Sequence, residues 1–216
     1  MDQAFSATSI TTDFEMGTYV AISNSFPSIS KHGCFFHFSQ NFWRNLVDKG
    51  HKITYQNDPV FAIWAKCLPA LAFVPESDVV LAFDELIQCH DFPIELENMI
   101  VYFKLNYISV VEINSIRRNP TFPISFWNCY QRTISNLPRT NNSVEGWHNA
   151  FRRMINGKSH PSLLSLVNKL QLEEKLVFDD YTRVRSNLNA FPVRKKKYKL
   201  YNRNLLVIVS NYDASA

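Results

Sequence analysis

The sequence predicts a mostly helical α/β chain, in which two short strands alternate with helices near the amino-terminal end and helices alone make up the rest. Three observations carry this. A run rich in Thr, Ser and Ile, Ser6–Thr12, leads directly into a helix-opening Asp13-Phe14-Glu15. A second short apolar run, Gly33-Cys34-Phe35-Phe36-His37-Phe38, leads into another helical pattern. From Tyr55 onward, large apolar residues recur at helical spacing without a further strand-like run. Hydrophobic residues are 46% of the 216 positions, and 17 Phe stand against 5 Gly, so a sizeable core can be buried and a disordered or loop-built chain is excluded.

Taken in order, the first strand ends at Asp13, and the helix that follows runs to about Ser25, before Pro27. An acid at the carboxyl end of a strand, opening a crossover, sits where open sheets place their ligands; equally, Asp13 can serve as the cap of its helix. The second strand, 33–38, is followed by an amphipathic helix over Gln40–Lys49 with Phe42, Trp43, Leu46 and Val47 inward. Cys34 and His37 have the spacing of a ligand pair. A closed structural zinc site needs four ligands, however, and no second pair follows, which favours a buried polar pair beside the sheet.

Four helices then follow. Asn57-Asp58-Pro59 starts one carrying Phe61, Trp64, Leu68 and Leu71, and Pro75-Glu76-Ser77-Asp78 starts another carrying Val79, Val80, Phe83 and Leu86. Ile94–Ile108 reads as a third, around Leu96, Ile100, Phe103 and Tyr107. After a basic connection at Arg117-Arg118-Asn119-Pro120, Ile124–Ile134 makes a fourth around Phe126, Trp127 and Tyr130. Their stripes are core patterns.

The stretch Leu137–Phe151 carries the chemistry-bearing residues. Pro138 closes what precedes it, Asn142 is the N-cap candidate, and Glu145 stands where a capping-box carboxylate would. At 100° per residue, Val144, Trp147, Ala150, Phe151 and Met154 share one arc, while Glu145, His148, Asn149 and Arg152 share the opposite one. A carboxylate, an imidazole and an amide facing away from an anchored apolar stripe mark a candidate site. His160-Pro161-Ser162 then begins a long helix through Leu163, Leu166, Leu170 and Leu176, with Glu173, Glu174 and Lys175 on its solvent face. The basic run Arg194-Lys195-Lys196-Lys197-Tyr198-Lys199 reads either as a solvated surface or as a phosphate-binding or nuclear-import segment, and a short apolar helix through Leu205, Leu206 and Val209 follows it.

The four cysteines are scattered without CxxC spacing, and the first residues carry neither a basic n-region nor an apolar h-region, so the expectation is a protein with reduced thiols in cytosol or nucleus. No apolar run is long enough to span a bilayer, which excludes a membrane partner of that kind. A net charge of +4 is compatible with nucleic acid without establishing it.

Three strings stand in order: Ile10-Thr11-Thr12-Asp13-Phe14-Glu15, the run 33–38, and Arg139-Thr140-Asn141-Asn142-Ser143-Val144-Glu145-Gly146-Trp147-His148. In this order they resemble the Mutator-like element (MULE) transposases. The resemblance extends over nearly the whole chain, including Leu71-Ala72-Phe73-Val74-Pro75, Phe126-Trp127-Asn128 and the tail Lys195-Lys196-Lys197-Tyr198.

The resemblance implies a ribonuclease-H-like core interrupted by a large all-helical insertion, with the present chain an α/β remnant of that fold. On that basis residues 1–53 form the second half of the core, 54–138 the insertion, 139–190 the closing helices and 191–216 a basic tail with a short helix. It also implies a nuclear protein that acts on DNA. In the family, three acids bind two divalent ions, Mg²⁺ or Mn²⁺, which activate a water or 3′-hydroxyl and stabilise the leaving oxygen. By motif position Asp13 matches the second acid and Glu145 the closing one, making them the catalytic and metal-ligand candidates. Cys34 and His37 match the Cys-x2-His signature; with His148 and Asn149 they are supporting candidates. Arg152, Arg153, Lys195, Lys196 and Lys197 are the DNA-contact candidates.

The pattern departs from the family at one place. Only twelve residues precede Asp13, too few for the strand, hairpin and helix that separate the first two acids. The expectation is therefore a transposase fragment related to DNA cutting and strand transfer but inactive alone, or a non-enzymatic DNA-binding or interaction module derived from one. An uncovered sheet edge invites pairing, which leaves a homo-oligomer open.

Overall fold

The computed structural model describes residues 7–111, 117–157, 159–186 and 196–213. They divide into two compact units, Met1–Thr140 with Asn204–Ala216, and Asn141–Arg203. The architecture is mostly helical, with a two-stranded parallel sheet in the first unit.

That sheet is a β–α–β arrangement. Strand β1 (Ser9–Thr12) leads through helix α1 (Met16–Ser25) to strand β2 (Ser30–Gly33), and the strands pair in parallel from Ser9 opposite Ser30 to Thr12 opposite Gly33. The ladder is extended at both ends, from Ser30 N–H to the Thr8 carbonyl (3.1 Å) and from Cys34 N–H to the Thr12 carbonyl (2.8 Å). Helix α1 begins after Glu15, so Asp13 precedes the N-cap and is not the cap residue.

The second strand is not the aromatic run. Strand β2 is Ser-Lys-His-Gly, and helix α2 starts at Phe35 and runs to Asp48, which places Phe35, Phe36, His37 and Phe38 in its first turns. Phe38, Phe42 and Leu46, spaced four apart, are all buried, and the helix that carries this stripe begins five residues before the Gln40 start that the sequence suggests. A short run of aromatics signals the interior without distinguishing strand from helix; here the core contact outweighs their β propensity.

The helices beyond are α3 (Lys52–Asn57), which has no clear sequence signal, α4 (Pro59–Ala70) and α5 (Val79–Gln88). The Asp58 carboxylate caps α4 by accepting from Val60 N–H (2.8 Å) and Phe61 N–H (3.1 Å), with Pro59 in the first turn where a missing donor costs nothing. The stretch 94–108 is three pieces: a 3-10 turn at Ile94–Leu96, helix α6 (Glu97–Phe103) and a π turn at Lys104–Ile108. A short antiparallel pair, β3 (Val110–Val111) with β4 (Arg117–Arg118), takes up what reads in the sequence as a basic connection. The fourth expected helix is broken into α7 (Ile124–Trp127) and α8 (Tyr130–Ile134) at Asn128 and Cys129.

One aromatic-rich core joins these pieces. Phe38 stacks on Trp127 at 5.2 Å between ring centres, and Phe83 stacks on Phe103 at 5.8 Å. Trp127 donates its indole N–H to the Tyr107 carbonyl (3.0 Å), satisfying the polar atom that burial would otherwise strand. Burial pushes the Tyr107 phenol well above its ordinary value, with the neighbouring Tyr102 adding to the effect.

The second unit holds helix α9 (Asn142–Met154), helix α10 (Leu163–Ser186) and the start of helix α11 (Lys196–Ser210), whose latter part belongs to the first unit, where Val209 is buried. Helix α10 starts as the sequence suggests, with the Ser162 hydroxyl accepting from Ser165 N–H (3.3 Å).

Candidate functional site

The parallel pair ends with both strands level, so Asp13 and Cys34, the residues that follow β1 and β2, stand side by side at its carboxyl edge. Helix α2 begins there with Cys34 as its N-cap residue, and its first turn carries His37 next to Asp13. The His37 Nδ1 lies 2.9 Å from Asp13 Oδ1; the imidazole is 20% and the carboxylate 49% exposed. A carboxylate beside the start of a helix is favoured by the unpaired N–H groups and positive end of its dipole. One Asp13 oxygen thus stands close to His37.

Arg139, the first residue of the third string, lies at the same edge. The Phe35 N–H, one of the donors at the start of α2, is satisfied by the Arg139 carbonyl (2.9 Å). Residues around positions 13, 35 and 139, far apart in the chain, are therefore gathered at one end of the two strands. The helical-stretch strings meet as well: Asn128 donates its amide to the Val74 carbonyl (2.8 Å), and Cys129 N–H reaches the Ala72 carbonyl (2.6 Å).

Beneath this edge lie Cys34, Cys129 and Arg132, all buried. Arg132 Nη2 donates to the Gly33 carbonyl (3.1 Å), the Asn128 carbonyl (3.3 Å) and the Cys129 sulfur (3.2 Å), which ties α8 to the last residue of β2. Among the described residues its Nε and Nη1 find no hydrogen-bond partner. Burial raises the Cys129 thiol above its ordinary value although Arg132 and Arg139 pull the other way, so this sulfur is a protonated packing group at neutral pH. Burial and the Arg132 charge both lower the His32 imidazole. Nothing in the sequence marks Arg132 as the residue that anchors this edge, because a single arginine inside a helical pattern carries no periodic signal.

Gly33 is fixed by close approach. A Cβ there would stand 2.5 Å from the Phe14 ring and 2.9 Å from the Phe126 ring. Phe14, beside the candidate acid, also packs edge-on to Phe122 and Phe126 at 5.0 and 5.2 Å, which holds the turn after β1 against the core.

In the second unit, Asn141 and not Asn142 occupies the N-cap position of α9, and Glu145 lies in the first turn one residue beyond the capping-box position. Glu145 is half-buried, whereas His148 and Asn149 are exposed. The apolar arc is less firmly anchored than its pattern suggests: Val144 is 50% and Trp147 39% exposed, and no α9 residue is buried. Trp147 stacks on Phe151 (5.4 Å between ring centres) and donates its indole N–H to Glu173 of α10 (2.6 Å), so Glu173 belongs to a helix contact and not to an open solvent face.

The end of α9 makes a basic cleft of about 630 Å³, lined by Asn149, Arg152, Arg153, Asn156 and Gly157. Asn156 (φ 56°) and Gly157 (φ 68°) turn the backbone left-handed, and Gly157 N–H closes onto the Arg152 carbonyl (2.8 Å), which ends the helix and exposes both guanidinium groups in its last turn. Three of the expected supporting or DNA-contact residues, Asn149, Arg152 and Arg153, are therefore brought together. Lys195 lies outside the described residues, and Lys196 and Lys197 open helix α11.

Among the described residues, no group of three or more His, Cys, Asp or Glu is gathered in a way that could hold a metal ion. Asp13 belongs to the first unit and Glu145 to the second. No helix among the described residues is long and apolar enough to cross a membrane. Comparison with family models, curated proteins and solved structures finds no match to the chain.

Proposed function

We propose that this chain is part of a MULE-type transposase, with a ribonuclease-H-like core as its ancestry, and that it binds DNA without cutting it alone. The reading rests on one observation above others: the first two strings that resemble the family and Arg139, the first residue of the third, meet at the carboxyl edge of two parallel strands, with Asp13 against His37 (2.9 Å) and Phe35 N–H on the Arg139 carbonyl (2.9 Å). Open sheets present their ligands at that edge. Asp13 and Glu145 are the acids assigned to divalent ions, Mg²⁺ or Mn²⁺. The described donor set is smaller than the three-carboxylate cage such chemistry uses, so no cleavage step is assigned to these residues.

A non-enzymatic DNA-binding module of transposase descent is the second reading, favoured by the basic cleft at the end of α9, which needs no metal. A nucleus is the compartment either reading calls for.

The test is a pair of assays on the full chain. Duplex DNA at low salt should be bound, and supercoiled DNA should stay uncut with Mg²⁺ or Mn²⁺ present. Absence of duplex binding at low salt would sink both readings, and metal-dependent nicking lost in Glu145→Ala would overturn the claim of inactivity.

A further inference from the structure

A second cavity lies within the first unit, between α2, α3 and the end of α4, and the readings above use none of its side chains. Its volume is about 300 Å³, and its lining is dominated by rings, with Phe35 and Trp43 of α2, Tyr55 of α3 and Phe73 after α4. Each of these four is packed against the core on one side and only half-buried, leaving ring surface for the cavity. The rings brace one another edge to face, Phe35 with Phe73 at 4.8 Å and Trp43 with Tyr55 at 5.0 Å, so their orientations are set before anything binds. The polar groups are few: the Ser39 hydroxyl, and Lys66, whose ammonium stands 5.5 Å from the centre of the Tyr55 ring. Aromatic walls with one or two placed polar groups are the usual make-up of a small-ligand pocket, and this volume is at the small end of the range.

We propose that this cavity binds a single aromatic base carrying a phosphate, with the base on the ring walls and the phosphate on Lys66. Rings supply π-faces that accept any base, and a lysine at the rim supplies the charge that a plain apolar ligand would not use. The size admits one nucleotide unit and excludes a paired stack. Two sources carry this chemistry, a free nucleoside monophosphate and an unstacked base of single-stranded DNA.

The experiment titrates the full chain with deoxyadenosine monophosphate, with deoxyadenosine, with a short labelled single strand and with a duplex of the same length. Expected is binding of the monophosphate or the single strand, with the duplex and the phosphate-free nucleoside weaker. Tyr55→Ala should weaken binding by about tenfold or more, since base–ring stacking lost to alanine has that size. Lys66→Glu, a change at an exposed position, should weaken it while circular dichroism stays unchanged. Binding of the single strand alone assigns the cavity to an unstacked base. Failure of both ligands, or binding that Lys66→Glu and Tyr55→Ala leave intact, overturns the proposal. Duplex binding that depends on Arg152 and Arg153 belongs to the cleft of α9 and is read separately.

Discussion

At the scale of single residues, the candidate edge depends on two fits that small substitutions would spoil. Gly33 accepts no side chain, because a methyl group would meet the Phe14 ring at 2.5 Å, and that ring is held by Phe122 and Phe126. Gly33→Ala should therefore cost about 1–3 kcal/mol, the usual size of an overpacking penalty, seen as a lower urea midpoint. His32 is the second case. In the folded chain, burial and the Arg132 charge hold its pKa below 6.5, whereas the unfolded chain keeps the ordinary value. The unfolded state then takes up a proton first as pH falls. The stability that neutral His32 contributes is present above pH 6.5 and is lost as the pH drops from there through the folded value. Urea midpoints measured at about pH 7.5 and 5.5 should differ less in His32→Gln than in the native chain. An unchanged difference would mean that other groups set the acid limb.

At the scale of elements, the break between α7 and α8 is a designed joint and not a frayed helix. Asn128 uses its amide on the Val74 carbonyl and its carbonyl oxygen on Tyr130 N–H (2.9 Å), so one side chain both satisfies the first donor of α8 and ties the helix to the segment after α4. Asn128→Ala leaves both backbone groups without these partners and should cost about 1–3 kcal/mol in thermal or urea unfolding; Asn128→Asp keeps an acceptor for Tyr130 N–H but sets a carboxylate oxygen against the Val74 carbonyl, and should cost no less. The sequence carried part of this element structure. The α4 start was legible because Asp58-Pro59 encodes a cap and a first-turn proline, which act locally. The β2 position was not, because Ser-Lys-His-Gly has little strand character and becomes a strand only through its parallel partner. The joint at Asn128 was hidden for the same reason, since Phe126, Trp127 and Tyr130 fit one helical stripe until the Val74 carbonyl is in place.

At the scale of the whole molecule, the candidate site separates into what strings of sequence can show and what only the fold brings together. Motif order singled out Asp13, His37 and Glu145, and the strand edge unites the first two. The aromatic cavity beside Lys66 left no mark in the sequence, because its rings sit on two helices and a turn and look like ordinary core stripes. The cleft at the end of α9 was half legible: Arg152 and Arg153 were visible as charges, but the turn at Asn156 and Gly157 that shapes their pocket was not. That cleft sets the last expectation. If its two arginines neutralise DNA phosphates, each releases counterions when DNA binds, and the slope of log affinity against log salt counts them at about 0.9 per contact. The double variant Arg152→Ala, Arg153→Ala should bind duplex DNA more weakly at low salt and flatten that slope by nearly two, equally for unrelated sequences. A slope that stays unchanged while affinity falls would show that the arginines act through the fold of α9 and not on phosphate. A change confined to one DNA sequence would instead place them against base edges, where contacts discriminate rather than merely attract.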